Sequence, residues 1–200
     1  MTRKEIRDID SRFDFLHTLL FKILLITDGR TTDILETLMD ETMSLQVVRQ
    51  EQINEEQSAR LGEDSDAPYY VRESILIGTK SQLVISHNIA LVCSKYLPPL
   101  MFEAIAAKQE GIGKTISTFG LQTSRKLVES GWRSDTETVD LFHKPIQLRF
   151  SPTKRKVPYK HYSIDFGSHP GIYLLEYFNP NMVLLRLKQL RNETIGGEQQ

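Results

Sequence analysis

Two ionic side chains stand inside strand-like runs that are otherwise largely apolar. Arg72 lies in Tyr69-Tyr70-Val71-Arg72-Glu73-Ser74-Ile75-Leu76-Ile77, and Glu176 in Gly171-Ile172-Tyr173-Leu174-Leu175-Glu176-Tyr177-Phe178. Side chains of a strand alternate between faces. Glu176 therefore shares a face with Ile172, Leu174 and Phe178, and Arg72 with Tyr70 and Leu76. A charge on an apolar face is costly unless it is paired or used. Either Arg72 and Glu176 pair with each other as a structural ion pair, or both enter one sheet interior and close a pocket around a small anionic ligand. A guanidinium presents a planar fork that meets a carboxylate bidentately. A carboxylate can hold a ligand hydroxyl or act as a base.

The elements that must position these groups are read from periodicity. Residues 10–26 predict a helix with Phe13, Leu16, Leu20 and Ile23 or Leu24 in one apolar stripe. A second helix is expected over about 31–40, with Ile34, Leu35, Leu38 and Met39 on one side. Met43 to Ile53 reads as a strand, and the polar run 54–67 as a surface loop. Residues 68–77 and 81–93 read as a β-hairpin about Gly78-Thr79-Lys80. Pro98-Pro99 opens a helix to about Ala107, since proline suits a first turn. Gly111-Ile112-Gly113 reads as a loop, Leu121 to Val128 as helix, and 134–158 shows no clear pattern. Strands over 159–166 and 171–178 precede a helix over 181–191 and a flexible tail from Gly196. Adjacent hairpins and segregated helices favour one α+β domain over residues 1–195, a single antiparallel sheet flanked by helices.

Composition narrows the function classes. The chain has 200 residues, of which 40% are hydrophobic, enough for one core. Lys plus Arg total 25 against 26 Asp plus Glu, so no global field favours nucleic acid. The lone Cys93 excludes an intrachain disulfide framework and fits a reducing compartment. Leu19–Ile26 is too short to span a bilayer, and Glu5, Asp8 and Asp10 argue against a signal peptide. The expectation is a soluble, cytoplasmic protein without a membrane or nucleic-acid partner, monomeric or dimeric.

Other candidates have plainer readings. His87, on an otherwise apolar strand face, is either a hydrogen-bonded core histidine or a site residue. Thr31 is either a helix cap or a ligand contact. Gly111-Ile112-Gly113-Lys114-Thr115 is no phosphate loop, because the pattern's first glycine falls on Lys108. Cys93 reads as a core thiol, and His143, His161 and His169 are not at metal-ligand spacing. Lys154-Arg155-Lys156 reads as a solvated loop, and Trp132 and Tyr173 as core or pocket wall.

Four blocks, in order over roughly residues 15–180, resemble the chorismate pyruvate-lyase family. They are Thr27-Asp28-Gly29-Arg30-Thr31-Thr32-Asp33-Ile34-Leu35, Tyr70-Val71-Arg72-Glu73-Ser74-Ile75-Leu76, Glu110-Gly111-Ile112-Gly113 and Leu174-Leu175-Glu176-Tyr177-Phe178. The resemblance implies an antiparallel sheet with helices on one side and helical flaps over a buried site. It implies removal of pyruvate from chorismate to leave 4-hydroxybenzoate, with no metal or organic cofactor. By position, Arg72 and the backbone of Ile112 would hold the ring carboxylate, Thr31 would touch it, and Glu176 would meet the ring hydroxyl. At the position of His87, family members can carry arginine; a histidine there is a weaker, pH-dependent cation for the enolpyruvyl carboxylate. The segments near 28–33 and 108–116 are the expected flaps.

The same fold also resembles the effector-binding domains of a family of bacterial transcription regulators, which would make the chain a ligand sensor without catalysis. About 15 residues precede the matching region, too few for a winged helix, so a sensor would need a separate DNA-binding partner. A lyase giving 3-hydroxybenzoate, or acting on a relative of chorismate, is a third expectation.

Overall fold

The computed structural model describes residues 3–28, 30–53, 69–107, 111–153 and 155–197. Two helices, α1 (Arg3–Ile26) and α2 (Thr31–Met39), lead into β1 (Met43–Gln52). Then come β2 (Tyr69–Gly78), β3 (Val84–Cys93), α3 (Pro99–Ala106) and α4 (Ile112–Thr118). The strands β4 (Ser124–Arg133), β5 (Val157–Phe166) and β6 (His169–Phe178) and the helix α5 (Met182–Gly197) complete the chain. The six strands form one sheet in the order β1-β2-β3-β6-β5-β4, and every neighbouring pair is antiparallel. The α+β antiparallel expectation is met; the polar run 54–67 lies outside the described residues.

The central strands β3 and β6 are buried on both faces, which is why their sequences read as near-continuous apolar runs. On one face, Val71, Ile89, Leu91, Tyr159, Leu175 and Tyr177 pack under the long connection between β4 and β5, which contributes Leu148 and Phe150. The helices cover the other face as two groups. The pair α1 and α2 packs Phe21, Leu24, Leu25, Leu35 and Met39 over Leu76, Ile85 and Phe178. The pair α3 and α4 packs Met101, Ile105 and Ile116 over Ala90, Val92, Ile164 and Ile172. Each fully buried leucine or phenylalanine contributes about 2 kcal/mol through apolar area removed from water. His17 pins α1 from the side, its Nε2 lying 2.8 Å from the Pro180 carbonyl.

Five expectations need correction. The buried stripe of α1 is His17, Phe21, Leu24 and Leu25, while Leu16 and Ile23 are 60% and 54% exposed. Apolar residues ring much of this helix, so spacing alone allowed the stripe to be drawn about one residue out of phase. The helix also begins at Arg3 rather than near residue 10. Residues 121–128 are not helical: β4 is an edge strand whose register shifts between Leu127 and Glu129, so no clean period of two survives there. Gly111 is the N-cap of α4, and Ile112 is its first residue rather than the middle of a loop. At the other end, α5 continues to Gly197, past the expected start of the tail.

Candidate functional site

Between the two helix groups the sheet is left uncovered by helix, and a cavity of about 280 Å³ lies there. Its floor is sheet: Arg72, Ser74 and Leu76 from β2, Asn88 from β3, Leu174 and Glu176 from β6, Tyr162 and Ile164 from β5, and Arg125 from β4. Its walls are the start of α2, with Arg30, Thr31 and Asp33, and the start of α4, with Gly111, Ile112 and Lys114. Arg72, Thr31, Ile112 and Glu176, separate in sequence, thus line one chamber.

Register explains the convergence. Arg72 sits opposite Ala90, which sits opposite Leu174, while Glu176 sits opposite Asn88, which sits opposite Ser74. Arg72 and Glu176 are therefore two strands and one pleat repeat apart on the same face. With strands about 4.8 Å apart and a rise of about 3.3 Å per residue, their Cα atoms are separated by roughly 12 Å. The two side chains form no ion pair with each other, so the simple structural pairing fails.

Each end of the chamber is built differently. Arg72 is 2% exposed, and its Nη1 donates to the Ile105 carbonyl at 3.0 Å. Gln50 Nε2 donates to the Ala106 carbonyl at 3.1 Å, so two side chains satisfy the last turn of α3. Burial lowers the guanidinium's pKa from its ordinary value. Glu176 is 6% exposed and belongs to a polar cluster. Lys160 Nζ lies 3.5 Å from its Oε2, and the Thr31 hydroxyl donates to the same oxygen at 3.4 Å. Lys160 also donates to the Thr31 hydroxyl oxygen at 2.8 Å. Burial pushes the Tyr162 phenol well above its ordinary pKa, and the nearby Glu176 carboxylate adds to the shift. Tyr162 is consequently a proton donor across the neutral range. Asn88 Oδ1 is buried without a hydrogen-bond partner and belongs to the cavity lining, leaving an acceptor for a ligand donor.

His87 does not belong to this site. Its register partners are Ile75 and Tyr177, on the opposite face of the sheet from Arg72 and Glu176. Its Nε2 lies 3.0 Å from Glu73 Oε1, and Glu73 also receives Arg49 at 2.9 Å. Burial lowers the His87 pKa, more than Glu73 raises it, so the ring is neutral at neutral pH. The one-residue parity of a strand decides the matter: 87 is odd, whereas Asn88, which lines the chamber, is even. Thr31 is the first residue of α2, with Arg30 at the N-cap position and no side-chain cap bond, so its hydroxyl serves the Glu176 cluster rather than the helix end.

Sequence reasoning passed over Lys160, Tyr162, Asn88 and Arg125. Lys160 follows the basic run Lys154-Arg155-Lys156, and its charge suggests solvent, yet it is 2% exposed. The available signal was parity: Lys160, Tyr162 and Ile164 alternate along β5 and must share one face. Among the described residues, no helix is long and apolar enough to cross a membrane.

No family model matches the chain, and no curated protein matches it. Solved structures do. One is a ligand-binding domain of a GntR-type transcriptional regulator from Bordetella bronchiseptica, at 12% identity over 68% of this chain and 85% of that one, with a TM-score of 0.43. A Staphylococcus aureus gene product has 14% identity over 68% and 83%, with a TM-score of 0.47. A GntR-family regulator from Bacillus cereus has 10% identity over 70% and 92%, with a TM-score of 0.44. The likeness concerns the fold alone.

Proposed function

We propose that the chain is a chorismate pyruvate-lyase that releases 4-hydroxybenzoate, working in the chamber between the two helix groups. The observation that carries this reading is that Arg72 and Glu176 line one cavity of about 280 Å³ without pairing with each other. A buried guanidinium meets the ring carboxylate as a fork and sets the ring's angle. The first amides of α4, at Ile112 and Gly113, lack intrahelical acceptors and add to that grip. At the far end Glu176 receives the ring hydroxyl. Arg125, also in the cavity lining, takes the enolpyruvyl carboxylate in place of His87.

The reaction breaks the ether bond at one ring carbon and removes the hydrogen of its hydroxyl-bearing neighbour. The electron pair left at that neighbour forms the ring double bond, the enolpyruvate departs, and a proton converts it to pyruvate. Aromatisation drives the step, so positioning and electrostatic stabilisation dominate. Glu176 stabilises charge developing at the hydroxyl-bearing carbon or takes its proton. No residue has to become covalently attached.

Incubating the folded protein with chorismate and measuring pyruvate by a coupled assay tests the reading, with chromatography identifying the hydroxybenzoate isomer. Pyruvate at the spontaneous rate rejects it. A second reading, a sensor for small aromatic carboxylates, is favoured by one feature: Glu176 is already engaged by Lys160 and Thr31, an arrangement suited to holding a hydroxyl. Binding of 4-hydroxybenzoate without turnover of chorismate selects it.

A further inference from the structure

Lys160 is the buried cation that neither sequence reading nor the proposed chemistry uses. Its Nζ sits among four oxygens from three elements. They are the Leu24 and Thr27 carbonyls at 3.4 Å, the Thr31 hydroxyl at 2.8 Å and Glu176 Oε2 at 3.5 Å. Leu24 lies in the last turn of α1 and Thr27 just beyond it, where helical carbonyls have no intrahelical donor. A cation there is favoured by both the orphan carbonyls and the helix dipole. Thr31 opens α2, and Arg30 at its N-cap with Thr31, Thr32 and Asp33 of its first turn form part of the cavity wall.

We infer that Lys160 is a positioning residue that ties the grip of Glu176 on a ligand hydroxyl to the ordering of the α1–α2 junction. The inference rests on the reading of the chamber as the ligand site. The physical route is short. Lys160 donates to Thr31, Thr31 donates to Glu176, and the same ammonium holds the end of α1. A hydroxyl arriving at Glu176 lowers the freedom of its carboxylate and so tightens the pair with Lys160. That leaves Leu24, Thr27 and Thr31 more firmly held. A ligand with a carboxylate but no hydroxyl engages Arg72 and leaves the junction as it was.

The other groups facing Glu176 are Tyr162 on β5 and Thr31 on α2. Around the same chamber stand Arg72 on β2, Arg125 on β4 and Lys114 on α4, with Arg30, Asp33 and Glu36 on the α2 side. Lys160 is the ammonium in direct contact with the carboxylate.

The test begins with the unaltered protein. Hydrogen exchange is followed without ligand, with benzoate and with 4-hydroxybenzoate, each at saturation judged by thermal shift. 4-Hydroxybenzoate is expected to slow exchange over residues 24–33 about fivefold or more, the effect of one net hydrogen bond, and benzoate to leave it unchanged. In Lys160→Met the added protection disappears while 4-hydroxybenzoate still binds through Arg72. There kcat for chorismate falls about 100-fold with a smaller change in KM, as misplacement of a reacting group produces.

Equal protection by the two ligands overturns the inference and leaves the functional reading intact. So does a Lys160→Met protein that keeps the parental protection and kcat. A parent that binds neither ligand overturns the functional reading and the inference together. If Lys160→Met does not fold, Lys160→Gln, which keeps a donor without the charge, is read the same way, and the two-ligand comparison still decides.

Discussion

The division of labour between Arg72 and Glu176 is the sharpest residue-scale consequence of the site. Arg72 meets the part of a ligand that does not change during reaction, so its loss removes binding. Arg72→Ala is expected to weaken 4-hydroxybenzoate at least about 30-fold, the low end for deleting one partner of a buried charge pair. Titration calorimetry reads this directly, and an unchanged Kd rejects the assignment. Glu176 meets the hydroxyl-bearing end, where charge develops. Glu176→Gln keeps shape and hydrogen bonding but not charge, and kcat for chorismate is expected to fall about 100-fold or more with KM little altered. A larger effect on KM than on kcat would reverse the roles.

At the scale of elements, the β2–β3 hairpin is fixed by a contact from outside it. Glu41, just after α2, accepts the backbone N–H groups of Lys80 and Ser81 at 2.7 Å and 2.9 Å. Burial works against its charge, but the bonds from Ser81 and Lys80, with Arg186 nearby, hold its pKa below the ordinary value. Gly78 lies against this carboxylate, and a Cβ there would collide with the Glu41 and Ser81 side chains. Gly78→Ala is therefore expected to destabilise the fold by about 1–3 kcal/mol through overpacking at a fixed turn. Denaturant unfolding measures it, and a change within experimental error would mean that Glu41 swings aside freely. Because this hairpin carries Arg72, the same substitution should also weaken ligand binding.

For the whole molecule, two histidines on the face opposite the chamber, His87 and His161, contribute to the pH dependence of stability below neutrality. Burial lowers the pKa of His87 and of His161, more than nearby carboxylates raise them. The unfolded chain binds protons at these imidazoles near pH 6.5, whereas the folded chain binds them only at lower pH. Below about 6.5 the unfolded state therefore takes up more protons, and stability falls as pH is lowered. Thermal unfolding midpoints are expected to drop between pH 7.5 and 5.5, and His161→Gln to flatten part of that slope. A midpoint that rises over this interval contradicts the assigned shifts. Since the chamber lies on the other face, ligand affinity and acid stability should respond separately to these substitutions.

Much of the architecture is local chemistry and is readable without coordinates. Alternation in β2, β3 and β6, proline at the start of α3 and the hairpin at Gly78 all follow from steric rules acting over a few residues. So does the placement of Arg72 and Glu176 on inward faces, because a strand's parity is a property of its own sequence. What parity cannot supply is which inward face meets which. His87 is the instructive case: its strand is buried on both sides, so either face looked like a core, and only the pairing with Tyr177 and Ile75 put it away from the chamber. Lys160 is the converse: its charge suggested solvent, and tertiary packing set it against Glu176 beneath the α1–α2 junction. Sequence alone determined the presence and local orientation of two opposed charges. The cavity between them, and the buried cation that holds one of them, arise from strand register and from how two helix pairs divide the surface of one sheet, which are interactions between residues far apart in the chain.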